Sequence, residues 1–376
     1  MANRNKRRRK TEIHDESYYM ASQWQLVWRK FRRHKLAIIG GSIIALLYLF
    51  AIFAEFFAVN NYQERFASAA SSPPTAIHFV DESGQFHWWP FVYASEQTMD
   101  METLQRVHTE DTSVRYPIRL FPKGSSYELW GLFESDRHLI GVDEPATLFF
   151  FGTDDFGRDV YSRTMHASRI SLSIGFIGVI VSFALGCIIG GVSGYFGGTT
   201  DLIIQRIIEF IISIPTIPLW IALAAALPPQ WSSIQIYFGI TVVLATVGWT
   251  TLARTVRGKL LELREADFVM AARISNMSDF DIIIKHLLPS FASYLIVSLT
   301  LAIPGMILGE TALSFLQIGI RPPAVSWGVL LQDAQNIRSL AQSPWLFIPA
   351  LFVIITVLCF NFIGDGLRDA ADPYKQ

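Results

Sequence analysis

Few residues of this chain have types and spacings suited to chemistry. It contains no GxxxxGK(S/T), no HExxH and no GxSxG, so neither nucleotide hydrolysis nor a familiar hydrolase is indicated. Cys187 and Cys359 lie in long apolar runs and read as small core hydrophobes, not as a disulfide or metal pair. What remains is a set of acids in or near apolar runs: Glu55, Glu209 and Glu310. Ionisable groups in such places are functional by default. Glu310 is the candidate for facing a solute path, with Thr300 and Pro304 on the same segment; a structural hydrogen bond is its other reading. Glu209 is expected to pair with Arg206, and Glu55 to reach a membrane boundary. Asp154, Asp155, Arg158 and Asp159 stand just before an apolar run. They suit either a docking surface for an external protein or a salt-bridged turn, since acids favour a helix N-terminus.

The elements that hold these residues are membrane spans. Half of the chain is apolar (51%) and 17% is charged, against roughly a quarter charged in soluble domains. A span needs about 20 mostly apolar residues. Six segments qualify: 36–58, 170–196, 204–227 (broken by Pro215 and Pro218), 236–256, 291–316 (with Pro304 and Gly305 inside) and 344–364. The first run is too long for a signal peptide and reads as a retained helix. The fold class is therefore an all-α polytopic membrane protein. Gly186, Gly190 and Gly194, four residues apart, form a flat stripe that lets a second helix approach closely.

Charge sets the orientation. Residues 1–36 hold eleven Lys/Arg against three acids, including Arg7–Lys10, while 59–169 holds nine Lys/Arg against sixteen acids. The basic end belongs in the cytoplasm. Six crossings return the C-terminus to that side, and the acidic stretch falls outside. That stretch is too long for a connector. Segments 77–80 and 86–93 read as a hairpin, with 116–121 and 127–133 as further strands. The expected organisation is a basic N-terminus (1–35), a first helix (36–58), a β-containing external insert (59–165), a five-helix core (166–366) with a cytoplasmic loop at 257–290, and a tail (367–376).

The loop is the most informative segment. Residues 260–274 are good helix formers. Asn276 follows, a residue that tolerates the left-handed turn ending a helix. Ser278 with Asp281 resembles a capping box. Phe280, Ile283, Ile284, Leu287 and Leu288 then fall on one helical face, which Pro289 ends. Two short helices with a sharp bend suit the groove of a partner protein; lying on the bilayer is the alternative. Glu262, Glu265, Asp267, Asp279 and Asp281 weigh against an anionic leaflet.

Arg264-Glu265-Ala266-Asp267-Phe268-Val269-Met270-Ala271-Ala272-Arg273, continuing to His286-Leu287-Leu288-Pro289, resembles the EAA loop of binding-protein-dependent ABC importer permeases. Four further stretches resemble the C-type permease of the dipeptide/oligopeptide/nickel group. They are Trp28 to Ala37, the GTDDFGRD of 152–159, Ser314-Phe315-Leu316 with Pro322-Pro323 and Ser326-Trp327-Gly328, and Gly364-Asp365-Gly366-Leu367-Arg368-Asp369 with Asp372-Pro373. The resemblance implies six transmembrane helices of the type I ABC importer fold in a cell inner membrane. It implies a second homologous permease, two ATPases that use ATP and Mg, and an external solute-binding protein, with no cofactor or metal on this chain. Arg264, Glu265, Asp267, Phe268, Val269, Ala271, Ala272, Arg273, Asn276, Ser278, His286 and Pro289 are then the ATPase-coupling residues. The resemblance implies a peptide-like solute moved by alternating access, with oligosaccharides or nickel as the alternatives. Two positions depart from the general pattern: Met270 replaces a Glu and Asn276 a Gly. A stand-alone secondary transporter needs charges lining several helices and often inverted repeats. Few intramembrane charges and no convincing repeat are present. A membrane receptor using the insert leaves the two-helix loop without a role.

Overall fold

The computed structural model describes residues 23–99, 106–336 and 341–372. The basic run Arg7–Lys10 and the end of the tail, Pro373 included, lie outside the described residues. Among the described residues, five helices are long and apolar enough to cross a membrane, and a bent pair makes a sixth span.

The first span is α2, Lys35–Ile52, preceded by a short helix α1, Gln23–Phe31, that the hydropathy reading missed. The expected helix over 36–58 is shorter than read. It breaks at Phe53 and resumes as one turn, α3, Ala54–Phe57. The second span, α4, is longer than expected and covers Val160–Phe196. At 1.5 Å per residue it is about 55 Å long, well over the apolar thickness of a bilayer. Its polar first turns escape a hydropathy reading, but Asp159 starts them by accepting the N–H groups of Tyr161 and Ser162 (3.1 and 3.3 Å).

The third span is broken as its prolines require. α5, Gly198–Ser213, and α6, Thr216–Ala225, meet at 88°. Pro215 has no N–H and forces the preceding Ile214 into extended backbone (φ −89°, ψ 129°). α7, Ser233–Leu263, is the fourth span, opened by a Ser232–Gln235 capping box. Loop helices α8 (Asp267–Ile274), α9 (Asp279–Asp281), a π-helical stretch Ile282–Leu287 and α10 (Leu288–Ser290) follow. Spans five and six are α11, Ala292–Phe315, and α13, Ile348–Ala371, with a short α12, Trp327–Asp333, between them.

The insert is built of strands. β1 (His78–Val80), β2 (Phe86–Met99) and β3 (Arg106–Pro117) form an antiparallel sheet in that order. β4 (Arg119–Leu120) pairs with β7 (Ile140–Gly141), and β5 (Lys123–Leu129) with β6 (Phe133–Arg137). The stretch 127–133, expected as one strand, instead turns back on itself at Trp130 and Gly131, both with positive φ.

The seam between α4 and α7 fixes the core. A Cβ on Gly190 would run into the backbone of Ala253, one on Gly194 would lie 2.7 Å from the Arg257 carbonyl, and one on Gly186 would meet Leu252. The stripe therefore does what its spacing predicts. Ile44, Leu172, Ile307, Trp327 and Phe360 are buried in the main cluster, which joins α2, α4, α11, α12 and α13, while the seam borders two smaller clusters through Ala253 and Leu260. Cys187 and Cys359 are free and buried. Replacing Gly190 by Val is expected to cost at least about 1–3 kcal/mol, because the opposing atoms are backbone and cannot give way. Thermal unfolding of the detergent-purified chain should show a clearly lower midpoint. Gly41→Ala, facing open space, should leave it in place; equal midpoints would contradict the seam.

Candidate functional site

The loop begins where α7 stops. Residues 260–274 are not one helix, as their composition suggested. The helix ends at Leu263 and a new one starts at Asp267, with Ala266 extended between them (φ −68°, ψ 150°). α8 ends in a Schellman turn. Asn276 takes φ +59°, the Met277 N–H donates to the Ala272 carbonyl (3.2 Å) and the Asn276 N–H to that of Arg273 (3.0 Å). Ser278 then caps the next helix, accepting the Asp281 N–H (3.2 Å) while its hydroxyl donates to the Asp281 carboxylate (2.8 Å). Lys285 and the Ser278 hydroxyl, in that order, hold the Asp281 carboxyl below the usual carboxylate range. Lys285 lies 2.6 Å away.

Beyond Asp281 the apolar face differs from the one expected. The Leu288 N–H bonds to the Ile283 carbonyl, five residues back, so the stretch is π-helical. The wider turn rotates Ile282, Ile283 and Leu287 inward and leaves Phe280 and Ile284 outside. Pro289, which has no N–H to offer the ladder, follows directly. Val269 and Ala272 join the inward set, packed on Tyr195, Val256, Leu260 and Leu295. Val269 and Ala272, both expected to meet a partner, therefore belong to the loop's own core. Phe268, Met270, Ile274 and Phe280 are exposed, Ile274 at 84% and Phe280 at 63%. These two large apolar side chains flank the bend. Arg264, lying beside Gly197 and 3.7 Å from the exposed Glu265, occupies the first break. Asp267, Ala271, Arg273, Asn276, Ser278 and Pro289 are on the surface, and His286 is half-buried.

Two polar clusters brace this end of the bundle, one holding the loop to α4 and one holding the spans to each other, and neither had a sequence signal. The Tyr195 hydroxyl at the end of α4 donates to Asp279 (2.6 Å) and accepts from Arg273 Nε (3.3 Å), whose guanidinium sits over its ring. Higher up, Arg257 grips Asp201 through two bonds of 2.5 Å, and the Ser193 hydroxyl donates to the same carboxylate. Such bidentate pairs fix direction as well as distance.

Elsewhere the candidates resolve toward structure. Glu310 is fully buried. It accepts from the hydroxyls of Ser314 (2.7 Å) and Ser171 (3.2 Å), which in turn accept the backbone N–H groups of Ile320 and Trp327. Thr300 and Pro304 are buried too. None of the three lines the cavity of about 340 Å³ between the helices. Their neighbours Ser298, Ala302 and Gly305 do, with Ser182, Thr216 and Trp220 opposite. Glu209 pairs with Arg206 (2.7 Å) and Glu55 with Arg169 (2.7 Å). Asp154 and Asp159 are buried, which removes them from any docking surface. Asp154 pairs with Arg158 and with Arg163, and both arginines approach Asp333 (3.6 and 3.5 Å). Burial raises the Asp333 carboxyl above its ordinary range. Arg158 is largely covered as well, and Asp155 alone of the four remains exposed, bonded to Ser71 (2.8 Å).

Comparison with known proteins adds the family. The model of the binding-protein-dependent transport system inner membrane component matches residues 182–375, the whole stretch holding the loop. The chain belongs to that family. A second model, the N-terminal TM domain of oligopeptide transport permease C, matches residues 22–74 of this permease. The dipeptide transport system permease protein DppC of Lactococcus lactis is 32% identical over 94% of this chain and 91% of its own length. DppC of Bacillus subtilis is 40% identical over 61% and 70%, and the oligopeptide transport system permease protein OppC of Haemophilus influenzae 43% over 60% and 70%. A solved chain of the MetNI methionine ABC transporter overlaps 54% of this permease and 93% of itself, with a TM-score of 0.43 at 19% identity. By its family the protein is a multi-pass permease subunit of an ABC importer, with five to six apolar spans and a small β insert between its first helices.

Tyr195→Phe removes one hydroxyl and creates no cavity. It should raise amide exchange through residues 267–284 and leave the thermal midpoint nearly unchanged. Unaltered protection there would mean that Tyr195 does not hold the loop. Asn276→Val forces a β-branched residue into left-handed backbone, at roughly 1–2 kcal/mol, and should loosen the same segment, whereas Asn276→Gly should not.

Proposed function

We propose that this permease imports peptide-like solute handed over by an external binding protein, and that its loop at 264–290 docks a partner ATPase. The observation that carries this reading is the exposed pair Ile274 and Phe280, set on either side of a rigid Schellman bend. Buried apolar anchors at the centre of an interface supply most binding energy, and a bend fixed before docking loses little entropy on binding.

The clusters around Tyr195 and Asp201 give the docked loop a mechanical role. A push on α8 passes through Arg273 and Asp279 to the end of α4, and Arg257 carries it from α7 to α5. The close α4–α7 seam moves as one body, while the 88° break at Ile214 and Pro215 is the natural hinge. An ATPase pair that closes on ATP then biases the path between inward and outward openings, provided that it binds the loop differently in its two states. A second permease completes the path, and two ATPases hydrolyse ATP with Mg to drive it. The Lys/Arg distribution supports placing both termini in the cytoplasm and the protein in the inner membrane. The relatives' names, dipeptide and oligopeptide transport, support a peptide solute. Asp267, Glu265 and Arg273, all exposed, are the polar rim of the contact. Met270 stands there without charge where the general pattern has a Glu.

Ile274→Ser with Phe280→Ser removes the anchors and leaves the loop's inner core untouched. The variant should purify as a folded permease but lose its ATPases and ATP-driven uptake. Uptake in proteoliposomes, with the cognate binding protein and labelled peptides, oligosaccharides or nickel, decides the solute. Peptide accumulation is expected; accumulation of another solute alone overturns the peptide assignment.

A further inference from the structure

The β5–β6 hairpin of the insert runs alongside the end of the first span and points back toward the membrane. At its base, His138 Nδ1 lies 2.7 Å from the Ala58 carbonyl, and the Leu139 N–H donates to that of Phe56 (2.9 Å). At its tip, the Trp130 indole donates to the carbonyl of Ile52 (2.8 Å), the last residue of α2. Going from base to tip thus retraces the chain from Ala58 to Ile52, from outside down to the end of the span. The tip is apolar: Trp130, Leu132 and Phe133 are 49%, 75% and 62% exposed. It continues the bare face of α2, where Leu49 and Ile52 are also exposed, and Trp130 packs on Phe53 with ring centroids 5.6 Å apart.

One residue pair further back the character changes abruptly. Leu129 faces Phe133 across the hairpin, and the next pair is Glu128 opposite Glu134. Like charges directly opposed are unfavourable unless water screens them. Successive pairs project from opposite faces, so beside the turn one face of the hairpin is apolar and the other acidic, which suits a turn laid against the bilayer with its acids turned to water. Indole rings with one bonded N–H favour this interfacial depth.

We propose that the turn Trp130 to Phe133 is a membrane anchor, seated in the headgroup and acyl boundary of the leaflet on the insert's side. The occupant of this patch is phospholipid. The anchor fixes the height of the insert against the first span and leaves the β1–β3 sheet, with its exposed Trp88, in water. The full-length permease carrying a nitroxide at Leu132→Cys or Phe133→Cys, in phosphatidylcholine/phosphatidylglycerol nanodiscs, tests this. Both native cysteines are buried, and the unsubstituted chain serves as the labelling blank. Relaxation by oxygen relative to nickel-EDDA should be several-fold higher at 132 and 133 than at a Trp88→Cys control. A ratio at both positions equal to that at 88 overturns the proposal. So does exclusion of both reagents, which would mean that protein covers the turn. The two tip positions are read independently, so failure of one variant to fold leaves the other to decide.

Discussion

The contact on which the rest depends is the approach of α4 to α7 along Gly186, Gly190 and Gly194. Lipid supplies no hydrophobic drive for two spans to associate, so close packing and polar links must hold them. With Gly190 against the backbone of Ala253 and Gly194 against Arg257, the ends of the two helices are fixed together. That places Tyr195 under α8 and α9, brings Asp201 within reach of Arg257, and gives Val269, Ala272, Ile282, Ile283 and Leu287 a surface to bury against. The loop is therefore not a flexible connector. Its bend is specified from within by Asn276 and from above by the seam.

The same logic explains why the intramembrane acid is quiet. Glu310 sits where α4, α11 and the start of α12 converge, and its carboxyl organises the hydroxyls of Ser171 and Ser314. Those hydroxyls satisfy backbone N–H groups at Trp327 and Ile320, where the chain leaves the helix and no ladder is available. In hydrocarbon every such group needs a partner. The outer cluster of Asp154, Arg158, Arg163 and Asp333 does comparable work, joining the start of α4 to α12.

Spans, stripe and bend were legible in the sequence because each rests on local periodicity or on one residue's backbone preference. The polar start of α4 was hidden because hydropathy does not register a cap. Asp159 was recognisable as an acid before a helix, and only its bonds to Tyr161 and Ser162 show where that helix begins. The face of 280–288 was misread because a π-helical turn changes the period, and no composition rule signals it. Ala272 and Val269 read as contact residues because they stand in a motif; packing shows that they support it. Arg163, Tyr195 and Arg257 carry no pattern at all, since their partners lie 9 to 170 residues away in sequence.

The central claim is that Ile274 and Phe280 enter a groove on an ATPase. A photo-crosslinking amino acid at 274, in the complete importer reconstituted in nanodiscs, tests it most directly. The account predicts an adduct of this permease with the ATPase subunit, whose yield changes with ATP, while the same probe at Ile180, exposed in the middle of α4, gives none with the ATPase. Adducts at 274 with lipid alone, or none in an importer that still transports, would contradict it.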